Sequence, residues 1–433
     1  MASSNFVSTD AISQRARNMF AFDFPLKILF EKMTENPYHE DNKDGIINLS
    51  TAYNEAVKDV ITEKFNQQEL KKWDSSMLPY PSHCQGAACM RKVIAEFLSA
   101  ETNAAQGLDP EKMVIMAGVT PVINVMAFIL CNPGDTVLTP SPMYGGIPRD
   151  IKYQAEVNTY PVYLSSKAEP DGREPYELTV QLLEEALEKA KQEGHKVKAL
   201  ILVNPFNPCG TVYTRQQIME YLKFCHKHSL HCVIDEIYNC SIYDNSVQSS
   251  SIFTFNPDDL PDKDRTHVLW GMAKDFGMPG SPVGVAYTWN PSVLAALIAL
   301  VDFYQVPLFL QIAVTKVLKD KEWLKWYLST QKSMLLESSN IVQETLDELG
   351  VQYVKPAAGL FLWADFRKFI PNATKESEMA FSMHCLDNGI AIAPASSFYY
   401  NEYGWARIIH TLPKEILIKA MKRLKASCRS FQG

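Results

Sequence analysis

The chain has 433 residues, 46% hydrophobic and 21% charged, which are ordinary globular proportions with room for two or three domains. Its formal net charge of −7 gives no basic surface for nucleic acid or an anionic membrane, so neither is expected as a partner. Nine cysteines lie without framework spacing, and the stretch from Met1 to Phe20 lacks an apolar signal core, so free thiols in a reducing cytoplasm are expected.

Along the chain, Met113 to Met116 reads as a strand that runs into the turn AGVTPVIN. Val180 to Lys191 carries apolar residues at helical spacing, and Val197 to Val203 (VKALILV) reads as a strand. Thr214 and Gln217 form a capping-box pattern that opens a helix through Ile218, Leu222 and Cys225. His231 to Ile234 and His267 to Trp270 are two more short apolar strands. The longest apolar run, Val293 to Val301, is too short to span a bilayer and reads as a buried helix. Helical patterns from about Val314 to Leu349, followed by strand-like GLFLWADF, suggest a second, smaller α+β unit.

Strand, helix, strand with short connections implies an α/β fold with a mostly parallel sheet, whose ligands bind beyond the carboxyl ends of the strands. Three segments occupy those positions. NPFNPCG (Asn204 to Gly210) is a rigid turn with two amide side chains, and by itself could be only a well-made loop. DEIY (Asp235 to Tyr238) places a carboxylate after four apolar residues, where a helix N-cap is the plain alternative. Lys274 stands within GMAKDFGMPGSPVG; an amine at the end of a core strand either snorkels or reacts. The cluster CHKHSLHC (Cys225 to Cys232) lacks zinc-knuckle spacing and spans a helix end and a strand start, so no metal site is expected. His83 and Cys84 are adjacent and read better as pocket wall than as a thiol pair. No GxGxxG follows a strand, which disfavours a nicotinamide enzyme.

NPxNPxG, then D-x-x-Y after a strand, then a lysine followed by small residues resembles the class I/II aminotransferases, the pyridoxal-phosphate enzymes of fold type I. DEIY, KDFGMPG and PGDTVLTPSPMYGGIPRDI are similar to the 1-aminocyclopropane-1-carboxylate synthase branch, and the resemblance runs from about Ile12 to Arg423. It implies a homodimer with a seven-stranded, mostly parallel large domain over 76–310. The small domain would combine residues 1–75 with 311–433. It implies pyridoxal 5'-phosphate joined to Lys274 as a Schiff base, with Asp235 at the pyridine nitrogen. Tyr238 and Asn207 would contact the ring's phenolic oxygen and Tyr144 would stack on its face. Gly118, Val119 and Thr120 would meet the phosphate at a helix N-terminus. Arg407 would grip the carboxylate of a small-molecule amino-acid substrate, with Ala52 and Tyr53 beside it.

The sequence also departs from that pattern. The family's phosphate-binding serine, three residues before the lysine, and arginine, eight after it, are here Gly271 and Pro282, and Ala273 replaces the serine next to the lysine. Arg149 and Lys43 are substitute cations to be located. The synthase branch carries glutamate in GLAEN and tyrosine before HG, where this chain has Tyr53 and Cys84. Synthesis of 1-aminocyclopropane-1-carboxylate is therefore not expected, and Tyr53 suits an aromatic or apolar substrate side chain. The expected activity is transamination. The alternatives are a β/γ-eliminating (carbon–sulfur) lyase and a catalytically impaired homologue that acts as a binding or scaffold protein.

Overall fold

A computed structural model describes residues 13–20, 27–67, 72, 75–78, 84–170, 172–370 and 372–431. His83 falls outside them. The strands are β1 (Ile47–Asn48), β2 (Met113–Met116), β3 (Thr136–Ser141), β4 (Asn158–Tyr163), β5 (Val197–Val203), β6 (His231–Asp235), β7 (Thr266–Gly271), β8 (Gly284–Thr288), β9 (Gln352–Val354), β10 (Phe361–Asp365), β11 (Ile390–Ala391), β12 (Ala393–Pro394) and β13 (Trp405–Ile409).

β5, β6 and β7 are apolar and buried for nearly their whole length, as strands covered by helices on both faces must be. They lie inside a seven-stranded sheet of order β2-β8-β7-β6-β5-β3-β4. β8 runs antiparallel to β2 and β7; the other pairings are parallel. The register pairs Val203 with Asp235 and Asp235 with Leu269. The chain segments that leave β5, β6 and β7 therefore emerge side by side at one edge.

Helices cover this sheet. Val180–Gln192 is opened by the Thr179 hydroxyl, which accepts from the Leu182 N–H, and Arg215–Lys227 by the Thr214–Gln217 capping box. The apolar helix Pro291–Leu300 is not the fully buried element that its composition predicts. It buries Val293 and Leu297 but leaves Ala295 and Ala299 exposed. The long helical pattern after Val314 is two helices, Leu308–Lys319 and Lys321–Leu349. Asp320 divides them, because its carboxylate accepts from the Trp323 N–H at 3.1 Å and from Lys64 Nζ at 2.6 Å.

A second, antiparallel sheet has the order β12-β13-β10-β9. β1 pairs in parallel with β11, Ile47 beside Ile390, so a segment near the start of the chain is tied to its last third. Among the described residues no single helix is long and apolar enough to cross a membrane.

Candidate active site

A cavity of about 290 Å³ opens at the shared edge of β5, β6 and β7. Val203, Asn207, Asp235, Tyr238 and Lys274 line it, as do Tyr144 and the turn from Ala117 to Pro121. The structure thus brings Lys274, Asp235, Tyr238, Asn207, Tyr144, Gly118, Val119 and Thr120 to one place.

Lys274 sits in the single turn Met272–Asp275 that follows β7, and its Nζ donates to the Ala52 carbonyl at 2.6 Å. Burial, with the nearby Arg407 cation, lowers its pKa to about 8, and the Asp235 carboxylate only partly opposes this. Asp235 is 4% exposed and accepts from the Ile237 N–H at 3.1 Å. Burial pushes its carboxyl up to about 7. Tyr238 is buried edge-on against the Phe361 ring at 5.2 Å, and burial raises its phenol far above the usual range. Burial raises Tyr144 to about 12.

The two asparagines of NPFNPCG have different tasks. Asn204 braces the loop, accepting from the Tyr213 N–H at 3.1 Å and donating to Ser250 Oγ at 3.2 Å. Asn207 Oδ1 accepts from Arg407 Nη1 at 2.9 Å, which leaves Nδ2 to donate into the cavity. Arg407 is 5% exposed and lies against the Phe361 and Phe398 rings at 5.2 and 4.8 Å. Its Nη2 donates to the Ser50 carbonyl at 2.6 Å, and its buried Nε has no partner. Among the described residues no carboxylate pairs with it, and burial lowers its pKa to about 10. A buried guanidinium with a spare N–H and no counter-ion is suited to receive a carboxylate.

Other sequence expectations fall elsewhere. Ala52 serves through its backbone carbonyl. The Tyr53 side chain does not line the cavity; it lies near Glu55, Lys58 and Asp59, and its carbonyl accepts from Thr411 Oγ1. Cys84 is exposed with its thiol against Asp302, so it is not the pocket wall expected of it. Lys43 stacks near the Tyr38 ring, away from the cavity. In CHKHSLHC, His226 faces Asp262, His228 faces Glu184 and His231 stacks on His267, so the three rings diverge.

Asp275 is a site residue that sequence reasoning missed. It is fully buried, and its carboxylate accepts from Ser241 Oγ at 2.5 Å, the Cys240 N–H at 3.1 Å and Trp270 Nε1 at 3.3 Å. Its carbonyl accepts from Tyr327 Oη and Gln331 Nε2. It locks the lysine turn to the segment that follows Asp235. The only signal was an acid directly after the lysine.

The opposite end of the cavity is different in character. Helix Val119–Leu130 starts there, and Gly118 turns the chain into it at φ +102°, which favours glycine. The Gly118 N–H already donates to the Met116 carbonyl at 2.7 Å, so it is not the free amide expected. A Cβ on Gly271 would stand 2.8 Å from Val119 Cγ2 and 2.7 Å from the Val283 carbonyl. The valine methyl thus fills the space a side chain at 271 would need. Pro282 covers Gly118 from the other side, its Cβ 3.1 Å from where a Cβ on Gly118 would stand. Arg149 is paired with Asp150 at 2.8 Å, and Asp150 in turn lies close to the Thr120 side chain.

A family model described as "Aminotransferase class I and II" matches residues 45–424. The chain is 34% identical over 399 residues to a human protein named "Probable inactive 1-aminocyclopropane-1-carboxylate synthase-like protein 2", covering 92% of this chain and 68% of that one. It is also 34% identical to the bovine "1-aminocyclopropane-1-carboxylate synthase-like protein 1", over 90% of this chain and 77% of that one. Among solved structures it is similar to an aspartate aminotransferase double mutant from Thermus thermophilus. The TM-score is 0.77 at 20% identity, over 96% of this chain and 99% of that one. It is likewise similar to an aromatic aminotransferase from Pyrococcus horikoshii, with TM-score 0.75 at 22% identity, over 93% and 98%.

Proposed function

From the premise that the chain belongs to the class I and II aminotransferases and has the fold type I architecture, we propose that it is a pyridoxal-phosphate-dependent enzyme acting on an α-amino acid. Transamination is the outcome we assign, and the working unit is a homodimer. The observation that carries the reading is an amine of lowered pKa and a buried carboxylate lining one cavity, with an arginine without a counter-ion bonded to Asn207 of the cavity wall.

The ring end of the cofactor suits these residues. When bound, it supplies an aldehyde that captures amines and a ring that withdraws electrons from the substrate α-carbon. Lys274 Nζ is neutral in a large share of molecules near its pKa of about 8, so it is a competent nucleophile and later a base for the α-proton. Asp235, when ionised, accepts the ring N–H. Tyr238 and Asn207 Nδ2 donate from the β6 and β5 ends. Arg407 orients the substrate carboxylate through Nε and the edge of its fork, and the Phe361 and Phe398 rings keep water from its face.

The phosphate end suits the cofactor poorly, since among the described residues no Lys or Arg lines the cavity there. That observation favours a second reading, an impaired homologue that binds without turnover, and one similar human protein bears "probable inactive" in its name. The two readings separate in one assay. The purified protein, loaded with cofactor, is given a panel of amino acids with and without a keto-acid acceptor. Release of the matching keto acid with amination of the acceptor supports transamination. Ammonia or thiol release indicates elimination instead. No product from any amino acid leaves the impaired homologue.

A further inference from the structure

The cavity is charged at one end only. Resting on the reading of Lys274 as an aldehyde-capturing amine, we propose that this site does not select for the phosphate of its cofactor. It takes a pyridoxal-class aldehyde by its ring and aldehyde, almost regardless of what hangs from the 5' carbon.

A dianion in a protein cavity needs a cation or several convergent donors. At the start of helix Val119–Leu130 two of the donors have been used or removed. The Gly118 N–H is bonded to Met116, and Pro121 has none to give. The N–H groups of Val119 and Thr120 remain. The Thr120 side chain lies close to Asp150, a carboxylate only 5% exposed. Asp150 Oδ1 accepts both Nε and Nη2 of Arg149, while its buried Oδ2 has no partner. Arg149 is therefore already paired, and an under-satisfied acidic oxygen of Asp150 stands near Thr120. That charge is felt inside the cavity, where it raises the pKa of both Tyr144 and Asp235. A phosphate dianion would meet repulsion from it.

The space itself has been refilled with carbon. Val119 Cγ2 occupies the room beside Gly271, and Pro282 lies over Gly118. These surfaces favour an apolar or neutral substituent. A buried arginine–phosphate pair would be worth roughly 30-fold to several-thousand-fold in affinity; among the described residues no arginine lines this end of the cavity. What remains is the binding at the other end, through Lys274, Asp235 and Asn207, which does not involve the phosphate.

The test compares two aldehydes, pyridoxal 5'-phosphate and 5'-deoxypyridoxal, which carries a methyl in place of the phosphate arm and does not close into a hemiacetal. Each is titrated into the purified protein by absorbance and then fixed by borohydride, with the modified lysine located by peptide mass. The expected result is reduction onto Lys274 by both, with affinities within about tenfold of each other. A preference for the phosphate of more than about tenfold overturns the proposal while leaving the enzyme reading intact. Reduction of neither aldehyde onto Lys274 overturns the enzyme reading and this inference with it. The variant Pro282→Arg, which adds a cation over the cup, is expected to raise the phosphate preference at least about tenfold above wild type. A folded variant with an unchanged ratio counts against a phosphate end at this position.

Discussion

Each ionisable group in the cavity is set by what surrounds it, and the pH behaviour follows. Lys274, lowered to about 8, loses its proton well before an exposed lysine does. Capture of the aldehyde is expected to speed up as pH rises toward about 8 and then to level off, followed by stopped-flow absorbance. Asp235 has the opposite sign. Its folded pKa of about 7 lies above the ordinary 3.8 of an unfolded chain. Its stabilising share is thus complete below about 3.8 and is lost as pH rises through about 7. In protein stripped of cofactor, Asp235→Asn is expected to flatten the fall in stability between about pH 5 and 8, adding about 1–3 kcal/mol at the upper end. Urea unfolding at both pH values reads this, and an unchanged slope would refute the buried-carboxylate account. Arg407→Lys keeps the charge but loses the fork. The KM for the amino donor should rise about 10- to 100-fold while borohydride trapping at Lys274 is unaffected.

At the scale of elements, the site depends on how the turn after β7 is held against the segment after β6. Asp275→Ala would leave Ser241, Cys240 and Trp270 without their buried acceptor. A loss of about 2–4 kcal/mol in unfolding free energy is expected, larger than the roughly 1 kcal/mol for removing the exposed Thr214 cap. Comparable losses for both variants would mean that the carboxylate does not lock the turn. The elements themselves were mostly legible in the sequence. The apolar run Val197 to Val203 is β5, and the Thr214–Gln217 pair does open its helix. Short buried strands and capping boxes are local signals, so a local reading finds them. The break at Asp320 escaped because the helical period continues across it, and only the carboxylate's capping bond marks the start of the second helix.

For the whole molecule, the mostly parallel sheet was legible in the strand–helix–strand alternation, but its seven strands only through the resemblance, because strand number and order depend on contacts far apart in sequence. The convergence of Asp235, Asn207 and Lys274 followed from their shared position after parallel strands. Other features lay beyond a linear reading. Tyr53 was aligned into the site by a motif but lies near Glu55, Lys58 and Asp59. Val119 filling the gap beside Gly271 is a packing relation between residues about 150 positions apart. Helix Pro291–Leu300 leaves Ala295 and Ala299 exposed, and Phe303 and Phe128 are 78% and 57% exposed, apolar surface that a partner copy would cover. Sedimentation is expected to give twice the chain mass of 48.9 kDa, and Phe303→Glu to shift the species toward the monomer. A wild-type protein that sediments as a monomer at micromolar concentration would remove the dimer from the proposal.

The most direct test of the central claim is chemical. The protein is incubated with pyridoxal 5'-phosphate, reduced with borohydride and digested, and its peptides are weighed. The account predicts a single pyridoxyl addition on the peptide that carries Lys274, and none in Lys274→Ala. Label absent from that peptide, or spread evenly over surface lysines in both proteins, would contradict it.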